Sequence, residues 1–564
     1  MIRTIFLALT TLLPLSVASL SAADWQVWTV QDTRRVLRED PAGTGLAVKL
    51  AAARNEWESF QILLRAPTAV DKVNVELGPF KAADGTPLLG ARLVLYRAHQ
   101  LQLTDGTYRN TEFRPGWYPD PLIPALNPDT GKPLGKARFA AVPFDLPANQ
   151  THGFLVDVYV PPLAKAGVYQ ATCRVTARGD REQAIPVELT VWDFALPRVP
   201  AMQTALGSPA ERVRAYYRKR AKEGKEKEPT DWDAVEAQCA QLLSEHRINA
   251  TPWGAAALMP VALADGKYEI PPEQIAKFRA VVDQYGINAF CIPHPRSAIK
   301  DPDTEREKLR SWLASWDKAY KELDRPQLVF YTYLLDEPND EEAYQFVQKW
   351  GKAIRSAKTV VKVLVVEQTL TQNPAWGDLY GAVDIWCPLF SLHDPKTAAE
   401  RQALGETLWT YTALCQRERT PWWHIDFPLL NYRVPAWIAW HYRMRGLLYW
   451  GAMSHWTGVE DPWSDPKTLD RRVRGKGQLY NGEGTIVYPA RAVGYDGIAA
   501  SLRLKALRDG LEDYDYLALL ERQGRAAEAE RVIAPLASSW FEWQRDPAAY
   551  QKARAKLAEL IQRK

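Results

Sequence analysis

The sequence predicts a multidomain protein: an N-terminal antiparallel β-sandwich, a (β/α)8 TIM-like barrel, and a short helical C-terminal extension. Three observations carry this prediction. Up to about residue 197, short runs of alternating apolar and polar residues recur between turn residues, the spacing of a sandwich. Beyond residue 200, strand-like runs alternate with helical ones eight times over roughly 300 residues, the pattern of a parallel barrel. Between the two lies Phe194-Ala-Leu-Pro-Arg-Val-Pro200, whose prolines make a stiff connector. A chain of 564 residues has ample core for several domains.

Residues 1–23 read as a secretory signal peptide: Arg3, an apolar run from Ile5 to Leu20 broken by Pro14, then Ser21-Ala22-Ala23. The run is short for a bilayer span, and no later segment is long and apolar enough. No cysteine lies near the cleavage site to take a lipid anchor, so the mature protein is expected to be periplasmic or secreted, with no transmembrane segment. Residues 24–200 form the sandwich, with strands predicted at 26–30, 46–50, 59–64, 73–77, 92–96, 153–160, 168–175 and 185–191. The Pro- and Gly-rich segment 108–141 reads as a long ordered loop reaching towards the next domain.

Residues 201–524 form the barrel, with strands at 203–206, 249–253, 289–293, 328–335, 363–366, 384–387, 407–411 and 447–450. Helical periodicity is clearest at 232–245, 272–285, 303–323, 340–357 and 435–445, and the last barrel helix is expected at 498–521. An insertion, 457–495, precedes it and carries the hairpin signal Asn481-Gly482-Glu483-Gly484. Residues 525–564 read as one or two amphipathic helices.

Composition narrows the partners. A formal charge of +4 is small for this length and argues against nucleic acid. The cysteines Cys173, Cys239, Cys291, Cys387 and Cys415 are scattered without metal-ligand spacing and read as core thiols. No phosphate loop or dinucleotide fingerprint is present, so no cofactor or metal is expected. The 22 Trp and 24 Tyr point to carbohydrate, because sugar C–H faces stack on indole beside its single polar N–H.

The chemistry concentrates in Leu328-Val-Phe-Tyr-Thr-Tyr-Leu-Leu-Asp336-Glu337-Pro338. A buried strand ends in two adjacent carboxylates and a proline that cannot continue a ladder. In a parallel barrel that end is the catalytic face. Paired carboxyls in a partly dry site suit glycosidic cleavage. The same residues would also fit a helix start, with Asp336 or Asn339 as N-cap and Pro338 at N1. Many retaining barrels place a nucleophile at the end of strand seven, but here that strand ends in Tyr411, and Glu406 lies at its wrong end. Chemistry without an enzyme nucleophile fits the adjacent pair better. A 2-acetamido carbonyl attacks C1, Glu337 acts as acid/base, Asp336 orients the amide, and Tyr411 donates to the acetamido oxygen.

With these residues in view, the chain resembles glycoside hydrolase family 123. The likeness rests on Ala53-Arg-Asn-Glu-Trp-Glu-Ser-Phe-Gln61, Tyr333-Leu-Leu-Asp336-Glu337-Pro338, Leu408-Trp-Thr-Tyr411, Gly446-Leu-Leu-Tyr-Trp-Gly451 and Ser501-Leu-Arg-Leu-Lys-Ala-Leu-Arg-Asp-Gly-Leu-Glu-Asp-Tyr514, in that order and spacing over nearly the whole mature chain. The resemblance implies a sandwich followed by a catalytic barrel, exo-acting β-N-acetylgalactosaminidase activity, and substrate-assisted retention by Asp336 and Glu337.

Further binding candidates lie at predicted strand ends. Trp450 and Trp456 would form a sugar platform, with Trp253 and Trp386 weaker. His294, the near-pair His424 and Asp426, and Glu367 with Gln368 would meet hydroxyls. Arg503, Arg508, Asp509, Glu512 and Asp513 read as an ion-pair lattice tying the last helix to the barrel, and Asn55, Glu56 and Glu58 as structural ties in the sandwich. Two other readings stand: a retaining glycosidase on sugars without acetamido, with Asp426 or Glu367 as nucleophile, and a non-catalytic carbohydrate-binding protein. The oligomeric state is open.

Overall fold

In the computed structural model, which describes residues 25–563 apart from 180, 252–256, 415, 417–418, 457 and 473–476, two β-sheets around a shared core precede a parallel barrel. The predicted leader, Trp253 and Cys415 lie outside the described residues. The N-terminal strands are β1 (Gln26–Gln31), β2 (Val48–Arg54), β3 (Glu56–Arg65), β4 (Val70–Leu77), β5 (Lys81–Ala82), β6 (Arg92–Leu103), β7 (Gly116–Pro124), β8 (Phe144–Leu146), β9 (His152–Val160), β10 (Gly167–Ala177) and β11 (Arg181–Ala195). One sheet runs β1-β3-β9-β6-β7; the other runs β2-β11-β10-β4-β8, with β5 beside β10. Pairing is antiparallel except for β2 on β11, which is parallel. Phe60, Ile62 and Leu64 of β3 and Val156 and Val158 of β9 face the core between the sheets. The intervening Ser59, Gln61 and Asp157 are buried as well, because the other face of this sheet is covered by the barrel domain.

The barrel begins with β12 (Gln203–Ala205), α1 (Pro209–Lys222) and α2 (Trp232–Glu245). A small hairpin, β13 (Val261–Ala262) and β14 (Tyr268–Glu269), and α3 (Pro272–Tyr285) lead to β15 (Ala289–Ile292). Then come α4 (Arg306–Leu323), β16 (Val329–Asp336), α5 (Glu341–Ser356), β17 (Lys362–Val366), β18 (Ile385–Trp386), α6 (Pro395–Ala403), β19 (Thr407–Thr412), α7 (Leu430–His441) and β20 (Gly446–Tyr449). The strand order is β12-β20-β19-β18-β17-β16-β15, all parallel. Tyr331, Leu364, Ile385, Cys387, Trp409 and Leu448 fill the interior.

The predicted second strand, 249–253, is the exception to the eightfold count. Residues 249–251 form no ladder. Asn249 spans the gap with its side chain instead, donating from Nδ2 to Thr204 O at 2.9 Å and accepting from Asn288 N at 2.9 Å. Among the described residues the barrel is therefore seven-stranded and nearly closed.

Local chemistry explains other departures. α7 starts a turn before Pro435, the expected first residue. Proline leaves the Asn431 carbonyl without its helical donor, and the Trp423 indole N–H fills that place at 2.8 Å. Asn481-Gly-Glu-Gly484 makes no hairpin. Its glycines take φ of 75° and 65° and present Glu483 inwards, while Leu469–Asp470 pairs with Leu479–Tyr480.

Helix α8 (Leu502–Arg522) begins after Ser501, whose side chain accepts from Leu504 N, and is buried along most of its length. The lattice expected to hold it to the barrel reaches mainly into the N-terminal sheets. Arg508 donates to both oxygens of Asp157 at 2.9 Å, Lys505 Nζ reaches Asp157 at 2.6 Å, and Arg503 donates to Asp120. Arg433 of α7 pairs with Asp513 at 2.6 Å on the barrel side. After α9 (Ala526–Ile533), α10 (Pro547–Gln562) returns to the same sheet, where Arg554 meets Glu56 and Glu58. No helix among the described residues is long and apolar enough to cross a membrane.

Candidate active site

β16 delivers the acidic pair, and a bulge decides how. Against β17, Tyr333 pairs with Leu364 but Leu335 pairs with Val365, so one residue is extra at Leu334. Without it, strict alternation would turn Leu335 inwards and Asp336 out. With it, Leu335 packs on the helix side and Asp336 joins Tyr333, whose hydroxyl donates to Asp336 Oδ1 at 2.7 Å. The Asp336 charge and burial push the Tyr333 hydroxyl far above its ordinary range, burial being the larger cause. The helix-start alternative fails, because Asp340 caps α5, accepting from Ala343 N at 2.8 Å.

Glu337 takes a left-handed φ of 43° ahead of Pro338. A non-glycine residue there costs about 1–2 kcal/mol, so surrounding contacts must hold it. Asn339 Nδ2 donates to Glu337 O at 2.7 Å, and the Tyr411 hydroxyl, from the end of β19, donates to Glu337 Oε1. Asp336 and Glu337 are both open to solvent rather than dry. The dry carboxyl is Glu367, just past β17 and 6% exposed. Burial pushes it up to about 7, the Glu337 charge adds to the rise, and hydrogen bonds from Gln372 and the backbone oppose it. Gln372 Nε2 reaches both Glu367 oxygens, at 3.1 and 3.0 Å.

Glu337, Glu367, Gln368, Gln372 and Tyr411 line one cavity of about 550 Å³. A larger, shallower hollow of about 630 Å³ lies on the outer face of the second N-terminal sheet. It has no aromatic wall and no part in the carboxylate cluster. Among the described residues no group of acidic, His and Cys side chains could hold a metal ion. The cavity is equipped for proton transfer at a substrate oxygen with a second carboxylate at hand.

The model of the glycoside hydrolase 123 catalytic domain matches residues 298–520, which include this cavity. The barrel carries the catalytic domain of glycoside hydrolase family 123. By that domain the protein is a glycoside hydrolase. A structure reported as a family 123 glycoside hydrolase from Clostridium perfringens, in a study of glycolipid glycan hydrolysis, matches with a TM-score of 0.62 and 14% identity over 95% of this chain and 96% of that one, a likeness of fold. A family 39 glycoside hydrolase from Bacteroides cellulosilyticus reaches a TM-score of only 0.31 at 10% identity, over 78% of this chain and 80% of that one. No curated protein matches.

In this family 123 domain the remaining predicted residues scatter. Trp450 follows β20 at the barrel mouth. Its indole N–H is taken by Glu483, and its ring lies 4.9 Å from that of His455. His424 is fully buried, with Nε2 2.5 Å from the same Glu483, so it faces no solvent. Asp426 is a strut: it accepts from Thr107 N, Thr107 Oγ1 and Asn110 Nδ2 at 2.7, 2.6 and 3.0 Å, anchoring the long loop of the N-terminal domain. Trp456 is buried and donates to Val487 O at 2.9 Å, which leaves no ring face for a sugar.

Trp386 lies between inward residues 385 and 387, so period two turns it to the helices, where it donates to Glu406 at 2.7 Å. His294 caps a short turn through Nδ1, which accepts from Arg296 N, and its Nε2–H donates to Leu334 O at 3.1 Å. Burial lowers its pKa, in keeping with a neutral ring. Sequence reasoning missed Gln372 and Glu483. For Glu483 the flanking glycines were the available signal.

Proposed function

We propose that the protein is an exported, retaining exo-glycosidase that removes terminal β-linked N-acetylhexosamine, N-acetylgalactosamine first among them. The observation that carries this is the pair itself: both carboxyls are solvent-exposed where β16 ends, Glu337 lines the cavity, and Asp336 stands beside it, held by the Tyr333 hydroxyl. In the first step the acetamido oxygen bonds to C1 as the glycosidic bond breaks, and Glu337 gives its proton to the leaving oxygen. Asp336 accepts a hydrogen bond from the amide N–H as positive charge develops there. Water then attacks C1, returns its proton to Glu337 and reopens the oxazoline, so two inversions give retention. Tyr411, whose hydroxyl donates to Glu337 Oε1, aims that carboxyl.

Two observations weigh against an enzyme nucleophile. Asp426 is spent on three hydrogen bonds to the N-terminal loop. Glu367, with its pKa near 7, is substantially protonated at neutral pH and a poor nucleophile there. The N-terminal leader supports export, and the glycolipid glycans named for the clostridial structure are the natural polymers to try first.

The test compares aryl β-glycosides of N-acetylgalactosamine and galactose with wild type and Asp336→Asn. Cleavage of the acetamido sugar alone, with the variant slowed by 100-fold or so, is expected. Equal cleavage of galactoside would remove the acetamido group from the mechanism.

A further inference from the structure

A left-handed backbone at a residue followed by proline persists only where neighbours over-determine it. At Glu337 those neighbours form a chain. Asn339 Nδ2 holds the Glu337 carbonyl at 2.7 Å, and Asn339 Oδ1 accepts in turn from Gln372 Nε2 at 3.2 Å. The same amide nitrogen lies 3.1 Å from Pro338 O and reaches both oxygens of Glu367. The backbone N–H of Gln372 donates to the Tyr344 hydroxyl of α5 at 3.5 Å. One neutral donor group therefore joins the turn after β16 to the carboxyl after β17, and its own backbone is tied to α5. A carboxylate at this position would face Glu367 and Glu337, and an asparagine would be one methylene too short to reach. Gln372 is itself solvent-exposed on the cavity wall, so it adds little to the core.

We propose that Gln372 is a positioning residue for the reaction: it locks the turn of residues 337–339 so that the Glu337 carboxyl stands at the leaving oxygen, and it holds Glu367 beside it. This rests on the reading of Glu337 as acid/base.

The experiment measures kcat and KM for Gln372→Leu, Asn339→Ala and the double variant on two N-acetylgalactosaminides, one with an activated aryl leaving group and one with a sugar or alkyl leaving group. Glu337→Gln runs alongside, with thermal unfolding of each protein. A misplaced acid slows the poor leaving group, which needs the proton, far more than the activated one. The expected loss for Gln372→Leu is roughly 10- to 100-fold in kcat on the poor leaving group, with KM and the melting temperature nearly unchanged. Asn339→Ala should give the same profile, and the double variant should be no worse than either, since both break one chain.

Wild-type kcat in Gln372→Leu on both substrates overturns the proposal. So does a rise in KM alone, which would make Gln372 a direct substrate contact. Loss in proportion to a lowered melting temperature would make it a structural tie and also overturns it. The Glu337→Gln arm reports separately: equal loss on both leaving groups there defeats the acid/base reading rather than the positioning role.

Discussion

Glu367 shows how a single side chain couples the cavity to the stability of the whole chain. Its pKa stands at about 7 against an ordinary value of 4.5, with burial the main cause and the Glu337 charge adding to it. Between those values the folded protein holds a proton that the unfolded chain has released. The contribution of this group to stability is therefore highest below about pH 4.5 and falls as pH rises towards 7. Above that window the cost is about 3 kcal/mol. Replacing Glu367 by Gln should raise the unfolding free energy at pH 8 and give little or no gain at pH 4, measured by urea denaturation at both. An equal gain at the two pH values would mean that the side chain is not protonated through burial.

The same scale shows what a sequence can reveal of a site. Asp336, Glu337, Glu367 and Tyr411 were readable because each closes or follows a buried strand, and strand ends in a parallel barrel converge. The bulge at Leu334 was not readable, since no residue type marks it. The fates of His424 and Asp426 depended on partners, Glu483 and Thr107, dozens to hundreds of residues away in the chain.

At the scale of elements, α5 sets the floor of the catalytic turn, and Gly351 sets how close α5 comes. A Cβ at Gly351 would stand 2.2 Å from the Ala382 carbonyl oxygen. Helix propensity alone favours Gly→Ala by about 1 kcal/mol. The clash with rigid backbone reverses that sign, so Gly351→Ala should destabilise by roughly 1–3 kcal/mol. It should also slow turnover, because Glu337 lies only a few residues before the helix. Thermal melts together with kcat test this; a stabilised, fully active variant would show that α5 has room to move.

Most elements were legible from period and punctuation, as α5 illustrates: Asp340 before an amphipathic run marks its start. Elements were less legible where prolines masked a strand, as in β7 (Gly116–Pro124), which lies inside the segment read as a loop, and where a side chain did the work of the backbone. Asn249 replaces a strand ladder, and Trp423 serves the carbonyl that Pro435 abandons, which lets α7 begin earlier than a proline rule allows.

At the scale of the molecule, α8 and α10 press a buried ionic lattice onto the N-terminal sheets. Asp157 accepts from Arg508, Lys505 and Ser59, and those partners hold its carboxyl well below the usual range against its burial. Removing one member of such a cluster leaves uncompensated buried charge. Asp157→Asn should therefore cost about 3–5 kcal/mol. Denaturant midpoints and slopes would read this, and a loss under about 1 kcal/mol would mean that water reaches Arg508. The direction of the lattice was legible only in part: Asp513 and Glu512 do meet barrel residues, Arg433 and Arg247, but Arg503 and Arg508 turn to the N-terminal sheet, because charges along a helix reveal spacing but not the partner across from them.

That lattice also bears on how such a protein can be inherited. The proline connector near residue 200 looks like a seam at which a barrel might be cut out and joined to a different neighbour. Yet a chain begun at residue 201 would strip Arg503 of Asp120, Lys505 of Asp157 and Arg554 of Glu56, would leave Arg508 only Asp509 and Glu512 of its own helix, and would deprive Asp426 of Thr107. The two halves are thus modules in outline only: recombination at the seam would separate charges that must travel together, and the full-length pair is the smallest unit that can be exchanged.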